Sequence, residues 1–214
     1  MRNVIIYDDF YKDPDTIRKW ALDAFTLPVE NKTYPGIMTE TFLPVEVPEL
    51  FRSLVGTDIY YRNESKVGWF GEFRISQYQD EFEQWIHADP MSPWAGIIFM
   101  NPDPPKSYGT AFWKHKKTGT TKAPMKHCRS HPEYDTEAIQ KMGYKDWNEV
   151  RSELICKDGL DESKWEQTLF IPGVYNRLVL FNSQLWHSHM PKENFGDSKE
   201  NARMVQLFFF GSKA

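Results

Sequence analysis

The stretch Arg203-Met204-Val205-Gln206-Leu207-Phe208-Phe209-Phe210 is an almost unbroken apolar run with one cation at its first position. Short apolar runs bounded by Gly, Pro, Asn and Asp are typical of buried β-strands. Runs of this kind recur from residue 58 onward, so the stretch is one strand among many. The predicted strands are residues 59–61, 69–77, 85–89, 95–100, 110–114, 169–171, 177–181, 185–188 and 203–210.

Nine short strands in one chain favour a mainly β fold with flanking helices, in which the strands form a sandwich or barrel of the jelly-roll kind. An alternating β–α–β sheet would need a helix between successive strands, and that pattern is missing here.

Helical signals lie before the strands and in the middle of the chain. Asp13 and Pro14 predict the start of a helix that runs to residue 25, and Gly56 predicts the end of a second helix over residues 48–55. The central helical segments are predicted at residues 136–142, 145–156 and 161–167.

These signals predict a single domain of three parts. Residues 1–57 form an N-terminal strand with support helices, residues 58–113 and 169–211 form the β core, and residues 114–168 form a loop and helical insertion. Insertions beside a barrel mouth commonly act as lids.

Composition narrows the classes of partner and compartment. The 214 residues carry 26 basic and 30 acidic side chains, and this net charge of -4 argues against nucleic-acid binding. The two cysteines, Cys128 and Cys156, are too few for a disulfide scaffold and favour a reducing, cytoplasmic compartment. The apolar run Val4-Ile5-Ile6 is too short for a signal peptide or a membrane span, so no membrane association is expected. The oligomeric state cannot be read from the sequence.

The segment Trp85-Ile86-His87-Ala88-Asp89 carries the strongest chemical signal. Residues i and i+2 of a strand project from the same face, so His87 and Asp89 can bind one ion. One further His would complete a face of two imidazoles and one carboxylate, which is a known set of ligands for Fe(II) with open coordination positions. His187 and His189 are both candidates for that third ligand.

Arg203 is the second signal, because it opens an apolar strand. A cation on a strand that faces a barrel interior requires an anionic partner, since an unpaired buried charge is very costly. The carboxylate of a ligand would satisfy the guanidinium in a bidentate manner.

In these features the sequence resembles the Fe(II)- and 2-oxoglutarate-dependent dioxygenases, in particular the prolyl 4-hydroxylase-like members. The resemblance covers residues 69–210. It rests on five elements in order, namely Tyr78 nine residues before His87-x-Asp89, Gly109-Thr110-Ala111-Phe112-Trp113, Leu178-Val179-Leu180-Phe181, His187-x-x-x-Pro191, and Arg203 at the start of the last strand. It implies a double-stranded β-helix core, the cupin-like form of the jelly roll.

The resemblance also implies roles for single residues. His87, Asp89 and His187 would bind the iron, and His189 is the fallback for His187. Arg203 would pair with the distal carboxylate of 2-oxoglutarate, and Tyr78 would be a second contact to that cosubstrate. The implied reaction hydroxylates a C–H bond of a peptidyl side chain such as proline, or of a small molecule, and releases succinate and CO2. The implied cofactors are Fe(II), 2-oxoglutarate and O2, with ascorbate as an additional candidate.

Other interpretations remain open at this point. A cupin-like protein could bind a metal or a small acid without turnover, and a zinc hydrolase is a third class. His127, Cys128 and His131, with His115 upstream, form either a zinc site or a polar loop cluster. Arg177 competes with Arg203 as the carboxylate anchor, although a structural salt bridge is the preferred interpretation. Trp113, Trp147 and Trp165 are expected to pack in the core or lid rather than line a substrate channel.

Overall fold

The computed structural model describes residues 3–29, 35–61, 69–90, 92–127 and 132–212. Its strands are β1 (Val4–Tyr7), β2 (Thr26–Pro28), β3 (Ile37–Thr41), β4 (Ile59–Tyr60), β5 (Phe70–Ser76), β6 (Trp94–Phe99), β7 (Gly109–His115), β8 (Met125–His127), β9 (Pro132–Tyr134), β10 (Trp165–Pro172), β11 (Leu178–Asn182), β12 (His187–Met190) and β13 (Arg203–Ser212). Its α-helices are α1 (Pro14–Asp23), α2 (Val47–Val55), α3 (Thr136–Lys141) and α4 (Trp147–Val150). A π-helix, Arg151–Lys157, continues α4, and two 3-10 turns follow at Asp158–Leu160 and Glu162–Lys164.

Two antiparallel sheets form the body of the molecule. The larger has the strand order β1-β11-β6-β13-β5-β3-β2, with β4 paired to the end of β13, and the smaller has the order β10-β7-β12. An isolated bridge between His87 and His187 adds a short fourth segment beside β12. The chain passes repeatedly between the two sheets, which makes this a double-stranded β-helix and confirms the predicted jelly-roll class.

The last strand shows why the chain folds in this way. Met204, Phe208 and Phe210 of β13 pack in a cluster with Phe51 of α2 and Ala21 of α1, on the outer face of the larger sheet. Val205 and Leu207 pack in a second cluster with Phe112 of β7 and Phe181 of β11, between the two sheets. Since helices cover one face and the smaller sheet covers the other, β13 is apolar on both faces.

The local helix signals act as predicted. The Asp13 carboxylate accepts a hydrogen bond from the Thr16 amide at the start of α1, and Pro14 occupies the first turn. Gly56 ends α2 with φ 77°, a conformation that glycine adopts without steric cost. No helix within the described ranges combines the length and hydropathy needed to cross a bilayer.

Three details of the predicted elements are wrong. Residues 85–89 do not form a regular strand, because their amides find acceptors on separate segments: Ile86 donates to Gly159, His87 to His187 and Asp89 to Ser183. The helical turn predicted over residues 161–167 ends at Lys164, where β10 begins four residues before its predicted start. Strands β2, β3, β8 and β9 were not predicted, since each has only three to five residues and carries little strand signal.

Candidate metal centre

The backbone brings His87 and His187 side by side. The two residues exchange hydrogen bonds, with the His87 amide donating to the His187 carbonyl at 3.0 Å and the reverse bond at 2.9 Å. Their ring centroids are 4.5 Å apart. Although residues 85–89 are not a regular strand, this pairing produces the side-by-side placement that the strand prediction required.

Asp89 is held between the two imidazoles. Its amide donates to the Ser183 carbonyl at 2.9 Å, and the Ser183 hydroxyl donates to the Asp89 carbonyl at 3.1 Å. Asp89 Oδ2 lies 3.2 Å from His187 Nε2, and Asp89 Oδ1 lies 3.6 Å from His87 Nε2. One ligand atom from each of the three residues lies within 4.8 Å of the others. Two atoms that are each about 2.0–2.2 Å from one ion lie no more than about 4.4 Å apart, so the spacing of this group is close to what a shared metal requires.

The hydrogen bonds of both imidazoles suit metal binding. His87 Nδ1 lies 2.9 Å from the Trp85 carbonyl oxygen, and His187 Nδ1 lies 2.7 Å from the Leu185 carbonyl oxygen. A carbonyl only accepts, so each Nδ1 carries the proton and donates it. In the neutral form of each ring the lone pair is then on Nε2, the nitrogen that lies beside Asp89. Metal-binding histidines commonly have their second nitrogen fixed in this way.

Burial keeps the centre in the form that binds a metal. Asp89 is 6% exposed and His187 is 5% exposed. Burial, followed by the neighbouring charge of His187, lowers the pKa of His87 from 6.5 to about 4. The His87 imidazole is therefore neutral at pH 7, and no proton has to be displaced before it coordinates an ion.

The lowered pKa of His87 predicts a loss of stability in mild acid. In the unfolded chain His87 gains its proton near pH 6.5, whereas in the folded chain it does so only near pH 4. The contribution of His87 to the free energy of unfolding is therefore complete above pH 6.5 and is lost as the pH falls to about 4. We expect urea unfolding of the metal-free protein to show the wild type losing on the order of 3 kcal/mol more than His87→Gln across this interval. Equal losses in both proteins would contradict the expectation.

His189 lies close to the group but outside it. It follows His187 by two residues on β12 and lines the same cavity. Its Nε2 lies 3.0 Å from the Lys192 carbonyl oxygen, an interaction that turns this nitrogen away from Asp89. The structure thus favours His187 over the fallback His189.

The structure does not bring Tyr78 to the centre. β5 ends at Ser76, and the chain then turns, with the Asp80 carboxylate accepting a hydrogen bond from the Gln77 amide at 2.7 Å. The Tyr78 side chain is 64% exposed and is not part of the cavity wall. This turn was not predicted, because the predicted strand continued to residue 77.

A cavity opens beside His87, Asp89 and His187. Together with the solvent at its mouth it has an empty volume of about 690 Å³. Arg203 lies on its wall with 2% exposure, and its Nε has no hydrogen-bond partner among the described residues. Thr110 Oγ1 and Asn194 Oδ1, also on the wall, are buried without a partner within the same ranges. Such atoms are rare in folded proteins and often mark a ligand position.

Sequence comparison places the chain in one family. Residues 1–210 match the model of a family of unknown function, DUF6445. The chain belongs to this family. No curated protein matches the sequence significantly. Among solved structures, the chain is similar to one titled "Selenomethionine labeled Fe(II)/(alpha)ketoglutarate-dependent dioxygenase TqaL", with 9% identity, a TM-score of 0.38, and coverage of 99% of this chain and 83% of the other. A likeness of this strength carries no functional argument.

The remaining predicted residues have structural roles. Arg177 donates two hydrogen bonds to the Asp8 carboxylate, at 2.5 and 2.9 Å, so it forms the expected salt bridge. Trp113 and Trp165 are buried in the cluster between the smaller sheet and the insertion, and Trp147 packs against that cluster, where it stacks on Tyr134.

The zinc interpretation falls partly outside the described residues, which exclude Cys128 and His131. His115 is 0% exposed, and its two ring nitrogens lie 3.0 Å from Thr118 Oγ1 and 3.1 Å from Asp158 Oδ2. Both nitrogens therefore already have protein partners.

Sequence reasoning missed Thr110, Asn194 and Arg74 as part of the cavity wall. Arg74 carried the same signal as Arg203, a cation within a predicted strand. Thr110 lay in a predicted strand without a distinguishing feature, and Asn194 lay in a loop whose path the sequence did not reveal.

Proposed function

We propose that the protein is an Fe(II)- and 2-oxoglutarate-dependent dioxygenase that hydroxylates a C–H bond of a peptidyl or small-molecule substrate, with release of succinate and CO2. The observation that carries this proposal is the buried guanidinium of Arg203 on the wall of the cavity that contains His87, Asp89 and His187. A metal site alone would fit many functions. A metal site with a buried guanidinium in the same cavity favours an acid that binds the metal through one group and the guanidinium through a carboxylate.

The ligand set supports the choice of metal. Two neutral imidazoles and one carboxylate, from His87, His187 and Asp89, are typical of non-haem Fe(II) oxygenases. The three residues would occupy one side of the ion and leave its other positions free for the cosubstrate and O2. When bound, the iron and 2-oxoglutarate supply the oxidising chemistry, and the protein supplies position and surroundings.

The polar atoms of the cavity wall that have no partner within the described ranges support a dicarboxylate as the ligand. A carboxylate of 2-oxoglutarate would accept hydrogen bonds from Arg203 Nε and from the Thr110 hydroxyl, which otherwise have no partner within the described ranges. Asn194 would contribute its amide group, whose oxygen and nitrogen can exchange places by a side-chain flip. The ligand would thereby remove the cost of leaving a charged group and two polar groups buried.

The rest of the wall suits a reaction that must exclude water. Phe181 and Leu207 lie between the sheets, and Trp69, Phe82 and Phe209 are further apolar residues of the lining. An apolar wall strengthens the electrostatic contacts within the cavity and limits access of solvent to the reacting atoms.

An anaerobic titration of the wild-type protein tests this function. Fe(II) is added to the metal-free protein, then 2-oxoglutarate, and the visible spectrum is followed for the metal-to-ligand charge-transfer band. We expect the band to appear only when both are present, and admission of O2 to yield succinate. Glutarate, which lacks the keto oxygen, is the matched control and should give no band. Stoichiometric iron binding without a band would contradict the proposal and favour a metal-binding barrel without turnover.

A further inference from the structure

The insertion packs behind the segment 85–89, which carries two of the three proposed metal ligands. His87 and Asp89 of this segment line the cavity, whereas no residue of the insertion that the structure describes does so. Ile86 and Ala88, which alternate with the two ligands, pack with helical residues of the insertion in one buried cluster. The segment therefore has the cavity on one side and the insertion on the other.

One turn of the insertion bonds to three other parts of the fold. In the 3-10 turn Asp158–Leu160, the first residue places a carboxylate oxygen 3.1 Å from His115 Nε2 on β7. The carbonyl of the second residue accepts a hydrogen bond from the Ile86 amide at 3.0 Å. The carbonyl of the third accepts one from the Lys192 ammonium at 2.5 Å. The turn is thus fixed to the smaller sheet, to the segment 85–89 and to the loop after β12.

Gly159 allows the turn to come this close to the segment 85–89. A Cβ at this buried position would lie 2.5 Å from the Ile86 carbonyl oxygen and 3.2 Å from the Leu154 carbonyl oxygen. Its φ lies outside the left-handed region, so the close approach is what requires glycine here. Both crowded atoms belong to the backbone, and the Ile86 carbonyl shares a peptide group with the His87 amide. A larger side chain would therefore displace the backbone of a proposed ligand.

Lys192 joins the same turn to the backbone on both sides of the metal group. Its ammonium lies 5.3 Å from the centroid of the Trp85 ring, a distance at which a cation is attracted to the ring face. The Trp85 carbonyl oxygen lies 2.9 Å from His87 Nδ1, and the Trp85 indole donates to the His189 carbonyl at 2.8 Å. Trp85 therefore connects the His87 ring to β12, the strand of the second proposed histidine ligand.

We propose that the turn Asp158–Leu160 positions the metal ligands and that Gly159 and Lys192 are its positioning residues. Neither residue lines the cavity, so both act through the backbone of the segment 85–89 and through Trp85. Partners beyond the ligands commonly set ligand orientation and metal affinity. This inference rests on the metal centre of the proposed function, and on neither 2-oxoglutarate nor the substrate. A purely structural role would lower the free energy of unfolding without changing the metal affinity of the folded protein.

Binding of Co(II) tests the proposal without turnover. Competition with a chromophoric chelator measures the affinity of the metal-free protein for Co(II), and the visible bands of the Co(II) complex, recorded without chelator, report coordination geometry. We expect Gly159→Ala to weaken Co(II) binding by about tenfold or more and to shift these bands. Lys192→Met keeps an apolar side chain but loses the ammonium, and it should weaken binding by about fivefold.

Each variant has a matched control outside the cavity lining. Gly211→Ala also creates a close contact, here between the new Cβ and the Tyr60 ring. Lys199→Met also removes an ammonium that donates to a backbone carbonyl, that of Leu22, at 2.8 Å. Both controls should change Co(II) affinity by about twofold or less, even where they lower the free energy of unfolding. Urea unfolding checks that each protein is folded under the titration conditions.

The outcomes separate this proposal from the function on which it rests. Unchanged Co(II) affinity and bands in folded Gly159→Ala would overturn the positioning role and leave the metal centre intact. If Gly159→Ala does not fold, Lys192→Met decides in the same way. Losses in the controls equal to those in their partners would also overturn the role.

A wild type that binds no Co(II) would overturn the metal centre, and the positioning role with it. A wild type that binds Co(II) but not 2-oxoglutarate would overturn the dioxygenase assignment alone. The Co(II) affinities of the variants would then still support or overturn the role of the turn.

Discussion

Replacing Arg203 with methionine is expected to stabilise the ligand-free protein and to abolish tight binding of 2-oxoglutarate. Burial lowers the pKa of Arg203, which reflects the cost of keeping its charge away from water. No carboxylate of the described residues compensates that charge. Apolar replacement of buried charges is often neutral or stabilising by about 1–4 kcal/mol, and we expect Arg203→Met to fall in that range.

The same substitution should weaken the cosubstrate complex. Removal of one partner of a buried charge pair costs about 2–5 kcal/mol, so the dissociation constant for 2-oxoglutarate should rise by about 30-fold or more. Urea unfolding of the metal-free protein measures the first effect, and calorimetric titration of the Mn(II)-loaded protein measures the second.

A matched control is Arg177→Met, which removes an arginine already paired with Asp8 outside the cavity. It should not stabilise the fold and should leave 2-oxoglutarate binding unchanged. If Arg203→Met instead lowers stability by several kcal/mol and binds 2-oxoglutarate normally, Arg203 is a structural residue and the cosubstrate site lies elsewhere.

Substitution of the two clustered histidines should have the largest effect on metal binding. His87→Ala or His187→Ala each removes one of the three proposed ligands, and loss of an outer-shell partner alone typically costs about 10–100-fold in metal affinity. We therefore expect each substitution to weaken Fe(II) binding by about 100-fold or more. Anaerobic competition with a chromophoric chelator measures these affinities.

His189→Ala is the matched control for this experiment. His189 shares β12 and the cavity with His187, yet its Nε2 is directed to the Lys192 carbonyl. Its removal should change Fe(II) affinity by about threefold or less, in keeping with a residue outside the ligand set. A loss in His189→Ala equal to that in His187→Ala would show that the third ligand had been assigned to the wrong histidine.

Much of the candidate site was predictable from residue type and spacing. The i, i+2 spacing placed His87 and Asp89 on one side of the chain, and the structure brings both to His187. The position of Arg203 at the head of an apolar strand predicted a buried cation, and its 2% exposure agrees with that prediction.

Other parts of the site depend on contacts that spacing cannot reveal. The segment around His87 is positioned by acceptors on Gly159, His187 and Ser183, which are far away along the chain. The resemblance implied a cosubstrate contact for Tyr78, yet a turn after Ser76 directs it to solvent. Asn194 reaches the cavity from a loop, whose path depends on packing rather than on local preference.

By itself, the sequence determined the class of fold and the chemical types at its centre. Alternating apolar runs define strands because each strand must bury one or both faces, and this property is local to the run. Only the tertiary structure decided which histidine joins Asp89, which polar atoms remain without partners, and that two arginines share one wall. These features depend on residues that are distant in sequence. They exist only once the two sheets have closed around the cavity.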